Sequence, residues 1–513
     1  VTRRALSSEV DASEADAGSR EEGASERKNL KSFRFHEQRK DSGRRRYWSF
    51  VAALAMALSA CAVGPDFERP APPDVEGFTP EKTASPGNGQ RFKQGADVPA
   101  RWWTAFGSKQ LDQLIEEALE RSPTLEAADA AIRVAQSNTD AATGAFFPQV
   151  VLNSNSSYTL SSGDSTTTTV TQQAYSFFTK QVQISYAPDI WGANLRTVEG
   201  LEAQREIQGY QKQAAYLTLA ADVAKAAIEE ASLRGQIAAT RRVIDLEQQR
   251  LTLLQRQFAY GAVAGTDVLS QQSALAQARQ TLPDLERRLA VQRNLLTALA
   301  GRYPSQEVGE TFDLAHIALP HELPLGLPAR LVAQRPDIKA AEAGVHSASA
   351  QVGVAIAARL PNIVLTASGG TSAFSLAQLF TPGTGFYALA GNIAQPAFDG
   401  MTLLNKQRAA QAELQQAQAQ YRAPAINAFQ NVADSLRALQ ADAGAVKEAR
   451  AAESLSKKYL DKIRSQLKFG GVSQLAVVDA QRALLAASIS RVQAEALRLA
   501  DTVALFAALG GGW

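Results

Sequence analysis

Between residues 122 and 300 the spacing of apolar positions changes several times, and each change marks an element. Ser122 followed by Pro123 predicts a helix start, a hydroxyl cap with proline in the first turn. That helix runs to about Ala145, where Pro148 imposes extended backbone on the residue before it. Val150 and Leu152 then alternate with Gln149, Val151 and Asn153, the period of a strand. After a Ser/Thr-rich loop over residues 161–169, Val182, Ile184 and Tyr186 point one way and Gln181, Gln183 and Ser185 the other. Such a strand suits a membrane barrel wall, lipid on one face and water on the other. It suits a strand over a soluble core equally well. From Ala193 to about Ala259 there is no proline, and Ala, Gln, Leu, Glu and Arg predict one helix. At 1.5 Å per residue it would reach about 100 Å, too long for an ordinary compact domain. A second helix returns from about Thr266 to Ala300, interrupted at Pro283.

The succession recurs. Pro123 and Pro148 have counterparts 213 positions on, at Pro336 and Pro361. Pro188-Asp189-Ile190-Trp191-Gly192 parallels Pro396-Ala397-Phe398-Asp399-Gly400 at an offset of 208, and Tyr260-Gly261-Ala262-Val263 parallels Phe469-Gly470-Gly471-Val472 at 209. Near-constant spacing of four anchors reads as a duplication. The second copy carries helices from about Met401 to Phe469, with a kink expected at Pro424, and from Val472 to Leu509. Gly261 and Gly470 stand where the helices of each pair reverse. Ala- and Gln-rich helices of this kind also build plain bundles and coiled coils, and that alternative stays open.

The N-terminal residues follow a different pattern. Residues 1–46 are polar and charged without apolar periodicity, a composition that resists folding. Arg44-Arg45-Arg46 then precedes an uncharged stretch, Tyr47 to Pro65, whose apolar run is too short to span a membrane comfortably. It ends in Leu58-Ser59-Ala60-Cys61, which resembles a bacterial lipobox, with Cys61 the single cysteine of the chain. A covalent lipid on Cys61 is expected, with Ala62 behind it favouring the outer membrane; a plain signal or an N-terminal membrane helix is the alternative. Val1 in place of Met suggests that the start is set too far upstream. Prolines from Pro65 to Pro99 make the lead-in extended.

Charge and composition narrow the function. The chain has 53 Lys+Arg and 51 Asp+Glu, of which residues 1–46 hold 12 and 9, so the mature part is near neutral and offers no footprint for nucleic acid. Four scattered histidines and one cysteine give little basis for a metal cluster. Neither a phosphate-cradling Gly-x-x-x-x-Gly-Lys run nor a Gly-x-Ser-x-Gly elbow is present, so no enzyme activity and no cofactor beyond the lipid are expected. Each copy offers two strands, and four cannot close a membrane barrel, the smallest of which need about eight. Open edges in lipid cost several kcal/mol per unpaired group, so several chains must build the barrel together.

Ala62-Val63-Gly64-Pro65-Asp66-Phe67-Glu68-Arg69-Pro70, Arg101-Trp102-Trp103-Thr104-Ala105-Phe106, Leu111-Asp112-Gln113-Leu114-Ile115, Val478-Asp479-Ala480-Gln481-Arg482 and the end Ala507 to Trp513 resemble the outer-membrane lipoprotein branch of the TolC family. The resemblance covers about residues 45–513. It implies a mixed α+β fold of mostly long α-helices. In it a homotrimer forms a 12-stranded transmembrane β-barrel, four strands per chain, continuous with a periplasmic α-helical barrel. The implied organisation is 1–60 leader and signal (removed), 61–120 lipidated segment and belt, 121–301 first repeat, 302–334 belt connector, and 335–513 second repeat. Implied partners are outer-membrane lipids, a periplasmic adaptor and a proton-driven inner-membrane transporter of the RND efflux type, for which the chain is the exit duct.

In that family the periplasmic constriction lies where the second helix of the second copy begins, which maps the gate to Leu475, Asp479 and Arg482. Three copies of Leu475 would plug the lumen and three of Asp479 would attract cations. Arg482, one turn on, is placed to pair with Asp479; which of these holds the closed state stays open. Ordinary interhelix packing explains the same residues. The reversals at Gly261, Ala264, Gly470 and Ser473 are expected to face the adaptor, or to be loops and nothing more. Phe177, Phe178, Phe386 and Tyr387 are candidates for a girdle at the membrane interface. Two other functions fit the architecture: a duct for polypeptide secretion, and a periplasmic lipoprotein without a pore.

Overall fold

The computed structural model describes residues 62–162 and 172–511, apart from 72, 76, 82, 83 and 88. The first copy begins with α1 (Lys109–Arg121) and α2 (Pro123–Thr143). Ser122 caps α2 by accepting the Leu125 amide, with Pro123 in the first turn. Strands β2 (Gln149–Ser162) and β3 (Gln172–Tyr186) follow, then α3 (Ala193–Ala259) and α4 (Gly265–Leu299). After a connector come α5 (Pro328–Gln334), α6 (Pro336–Ala357), β5 (Asn362–Ala373) and β6 (Gly385–Ala394). The chain ends with α7 (Thr402–Lys468) and α8 (Gln474–Ala508). Helices α3 and α7 are each 67 residues long, and α4 and α8 are each 35.

One expectation about proline is corrected, the interruption at Pro283. Helix α4 runs unbroken through Pro283, and α7 runs through Pro424. A long helix tolerates one missing amide because the hydrogen bonds and packing along the rest of its length outweigh a local cost of roughly 3 kcal/mol. α4 lies along α3 and α8 along α7, while α3 also contacts α6 and α8.

The sheet order is β2-β3-β5-β6, antiparallel throughout. β3 pairs with β5 across the two copies, from Phe178 opposite Ala373 to Tyr186 opposite Leu365. A second, two-stranded parallel sheet joins β1 (Arg91–Gln94) of the lead-in to β4 (Glu322–Leu325) of the connector. Beneath it lies the largest apolar core. Trp102 stacks on Phe506 with centroids 5.5 Å apart, and Trp103, Phe106, Leu111, Leu114 and Ile115 are buried around them.

Candidate conduction path and gate

Cross-strand partners share a face of a sheet, so the register sorts every strand residue. Val150, Leu152, Val182, Ile184, Tyr186, Ile363, Leu365, Leu389 and Ile393 fall together on one face. Leu152 and Leu389 there are 79% and 78% exposed, an apolar surface that water would penalise. The other face carries Gln149, Asn153, Asn155, Gln181, Gln183, Ser185, Thr366, Ser368 and Asn392, with Asn153 donating to Gln183 at 3.2 Å. Among the described strand residues this polar face holds no charge. The wall thus has a side for lipid and a side for water. The girdle aromatics split, because neighbours in a strand point oppositely: Phe178 and Tyr387 lie on the apolar face, Phe177 and Phe386 on the polar one.

At the far end of the helices α3 and α7 reverse into α4 and α8. Gly261 and Gly470 take φ of 71° and 72°, which only glycine adopts cheaply, and the amides after them close back onto the last helical turn. The Asp267 carboxylate accepts the Ala264 amide at 3.1 Å, and Ser473 Oγ accepts the Ala476 amide at 3.4 Å. Tyr260 and Phe469 stand almost fully exposed beside the turns.

The three gate candidates all lie in the first three turns of α8. Leu475 is half-buried. Asp479 Oδ1 pairs with Arg250 Nη1 of α3 at 2.6 Å, while Arg482 Nη1 is 3.9 Å from the same oxygen. Arg482 Nε is committed to Glu247 of α3, a carboxylate 1% exposed. Glu247 is held from the other side by Gln271 of α4, whose amide donates to Oε2 at 2.6 Å and to the Glu247 carbonyl at 3.1 Å. α8 is therefore clipped to α3 by two ion pairs one turn apart. Glu247, Arg250 and Gln271 escaped the sequence reading. The signal available was asymmetry: 209 residues on from Glu247 and Arg250 stand Ser456 and Tyr459.

The start of the described chain is fastened where the sheet meets the helices. Ala62 packs against Gly192 so closely that a Cβ there would sit 2.7 Å from the Ala62 Cα, and a Cβ on Gly64 would sit 2.4 Å from the Gly353 Cα. Arg196 pairs with Asp66 at 2.6 Å and Glu199 at 2.8 Å. Burial opposes its charge, but those hydrogen bonds outweigh it and hold its pKa above the ordinary arginine value. His346 bridges to Glu199 at 2.9 Å and stacks on Phe67 at 4.4 Å. Cys61 and the Leu58-Ser59-Ala60 run lie outside the described residues.

A wall with one lipid-type and one water-type face, carried on helix pairs of great length, is the wall of a channel. The family profile described as "Outer membrane efflux protein" matches residues 114–302 and 327–511. The chain is 30% identical over 475 residues to the pyoverdine export outer membrane protein OpmQ of Pseudomonas putida, covering 90% of this chain and 96% of that one. It is 27% identical over 463 residues to the cation efflux system protein CusC of Escherichia coli K12, covering 90% and 98%. Among solved structures, the open state of the Neisseria gonorrhoeae MtrE outer membrane channel superposes with a TM-score of 0.75 at 26% identity, covering 88% of this chain and 98% of that one. The chain belongs to the outer membrane efflux protein family; it is an outer-membrane channel of the efflux type, and not an enzyme.

Proposed function

We propose that three copies close a 12-stranded barrel, the β6 edge of one pairing with the β2 edge of the next, as the exit duct of a tripartite efflux pump. The observation that carries this is the four-stranded amphipathic sheet with two free edges, β2 and β6, set on helices of the same chain. In hydrocarbon those edges need partners. The equal lengths of the paired long helices support a duplicated unit, 121–301 and 335–513. The β1–β4 pairing supports a belt built from 61–120 and 302–334.

The duct takes small molecules, as the names of the two relatives suggest for those proteins, rather than polypeptides. The uncharged Asn, Gln, Ser and Thr face gives it little means of selecting among them, so selection rests with an adaptor and a proton-driven inner-membrane transporter. The adaptor meets the reversals at Gly261, Ala264, Gly470 and Ser473. Leu475, Asp479 and Arg482 form the closed periplasmic end, with Glu247 and Arg250 as its catches. Cys61 carries the lipid; the seat of Ala62 at the sheet–helix junction supports acyl chains that enter the membrane beside the barrel. Purified protein is expected to migrate as a heat-modifiable trimer and to give single-channel steps in planar bilayers. Monomeric protein without conductance would refute the duct.

A further inference from the structure

Lys180 is the one charged residue among the described residues of the four wall strands. By register it lies on the apolar face, with Ser154 opposite it on β2 and Thr371 opposite it on β5. The next row on that face is Leu152, Val182 and Gly369, and beyond it come Ile184 and Ala367. The two rows toward the helices thus carry no side-chain hydrogen-bond donor, and the three donors of the Lys180 row stand at their upper limit, with Ser156 and Phe178 next beyond it. Among the described residues Lys180 has no carboxylate partner; its ammonium sits 5.6 Å from the centre of the Phe380 ring, in the loop that joins β5 to β6.

The height of the row matters. Nine residues separate Asn362, at the helix end of β5, from Thr371. At about 3.4 Å per residue and a tilt of about 40°, that is about 23 Å up the wall. The apolar band of an outer-membrane barrel is about 25 Å tall. The row therefore lies at the edge of the band farthest from the helices, where β5 and β6 run out. A lysine at mid-membrane is costly, whereas at this edge the cost is small and the ammonium reaches headgroups.

We propose that Ser154, Lys180 and Thr371 bind the phosphate of a phosphorylated lipid of the outer leaflet. The ammonium supplies the charge, the two hydroxyls donate to phosphate oxygens, and the acyl chains lie along Leu152, Val182 and Ile184 below. Phe380 flanks the ammonium. The assignment rests on the outer-membrane barrel reading, and its test is separable from that reading.

The test uses delipidated trimer in uncharged detergent, titrated with lipid A, with phosphatidylglycerol or with inorganic phosphate. Retained lipid is read by native mass spectrometry and stability by the trimer's dissociation temperature. Lipid A is expected to bind the wild type and Lys180→Arg alike, and Lys180→Gln on the order of tenfold more weakly. Thr371→Val, which keeps strand-compatible shape, is expected to lose a smaller part and reports on the same row should Lys180→Gln fail to assemble. Equal lipid A binding by wild type and both variants would overturn the proposal. An equal effect of inorganic phosphate would reassign the row to a free anion and overturn the lipid. Variants that trimerise and conduct normally leave the duct standing whichever result is found.

Discussion

Met401 is the one residue other than glycine with positive φ among the described residues, at 67°. It caps α7 in the conformation that Gly192, at φ 74°, adopts before α3. An L side chain pays roughly 1–2 kcal/mol there, partly offset by the extra freedom glycine has when unfolded. The Met401 side chain is 61% exposed, so its loss removes little packing. Met401→Gly is therefore expected to stabilise the fold by about 0.5–1 kcal/mol, read as a higher dissociation temperature of the purified trimer. The proposed gate catches are also a matter of single side chains. Truncating Arg250 leaves Asp479 only the 3.9 Å contact with Arg482, and Asp479 is half-exposed, so the pair itself contributes modestly. Breaking the Glu247–Arg482 link costs more, because Glu247 is buried. Arg250→Ala with Glu247→Gln is expected to raise single-channel conductance several-fold, with Arg250→Ala alone giving less. Unchanged conductance in the double variant would remove the catches from the gate.

At the scale of elements, α7 and α8 share a carboxyl pair outside the proposed gate, one member buried and the other half-buried. Asp442 of α7 faces Asp501 of α8, and its pKa is pushed up to about 7 by burial first, then by hydrogen bonding and charge from Asp501, against the pull of Arg498. Its Oδ2 has no donor among the described residues; a proton shared between the carboxyls would provide one. Arg498 is itself buried and gives its donors to Gln90 Oε1 at 2.9 Å and the Gly87 carbonyl at 2.8 Å, which ties the lead-in to α8. The folded state thus holds a proton that an unfolded aspartate releases near pH 4. Its contribution is full below about pH 4 and fades as pH rises through about 7. Asp442→Asn is expected to stabilise the trimer at pH 8 relative to wild type, by at most about 4 kcal/mol, and to change little at pH 4. A pH-independent difference in dissociation temperature would refute the shared proton.

At the scale of the molecule, the start of the described chain meets the end of the strand wall. Ala62 is seated on Gly192 just past the end of β3, so a lipid on Cys61 would add to the hold of the proposed barrel on the membrane. Cys61→Ala is expected to abolish incorporation of radiolabelled palmitate while leaving trimer conductance in place; incorporation equal to wild type would exclude Cys61 as the site. Helix ends were legible from residue order to within a residue or two: α3 starts at Ala193 and α2 behind Ser122. The short strands β1 and β4 were not, since four residues each carry too little pattern. The unbroken course of α4 through Pro283 was not either, because packing outweighs the local rule. At the proposed gate, Asp479 and Arg482 stood out by resemblance, yet their nearest partners sit on α3, more than 200 residues earlier. What the amino-acid order determined by itself is local: caps, proline stops, alternation along strands and the lengths of the helices, because each depends on neighbours within a few residues. What only the tertiary structure decided is pairing: β3 against β5, Arg250 against Asp479, and Lys180 in one row with Ser154 and Thr371. Each of these needs a register between distant segments, and register is set by the packing of whole elements.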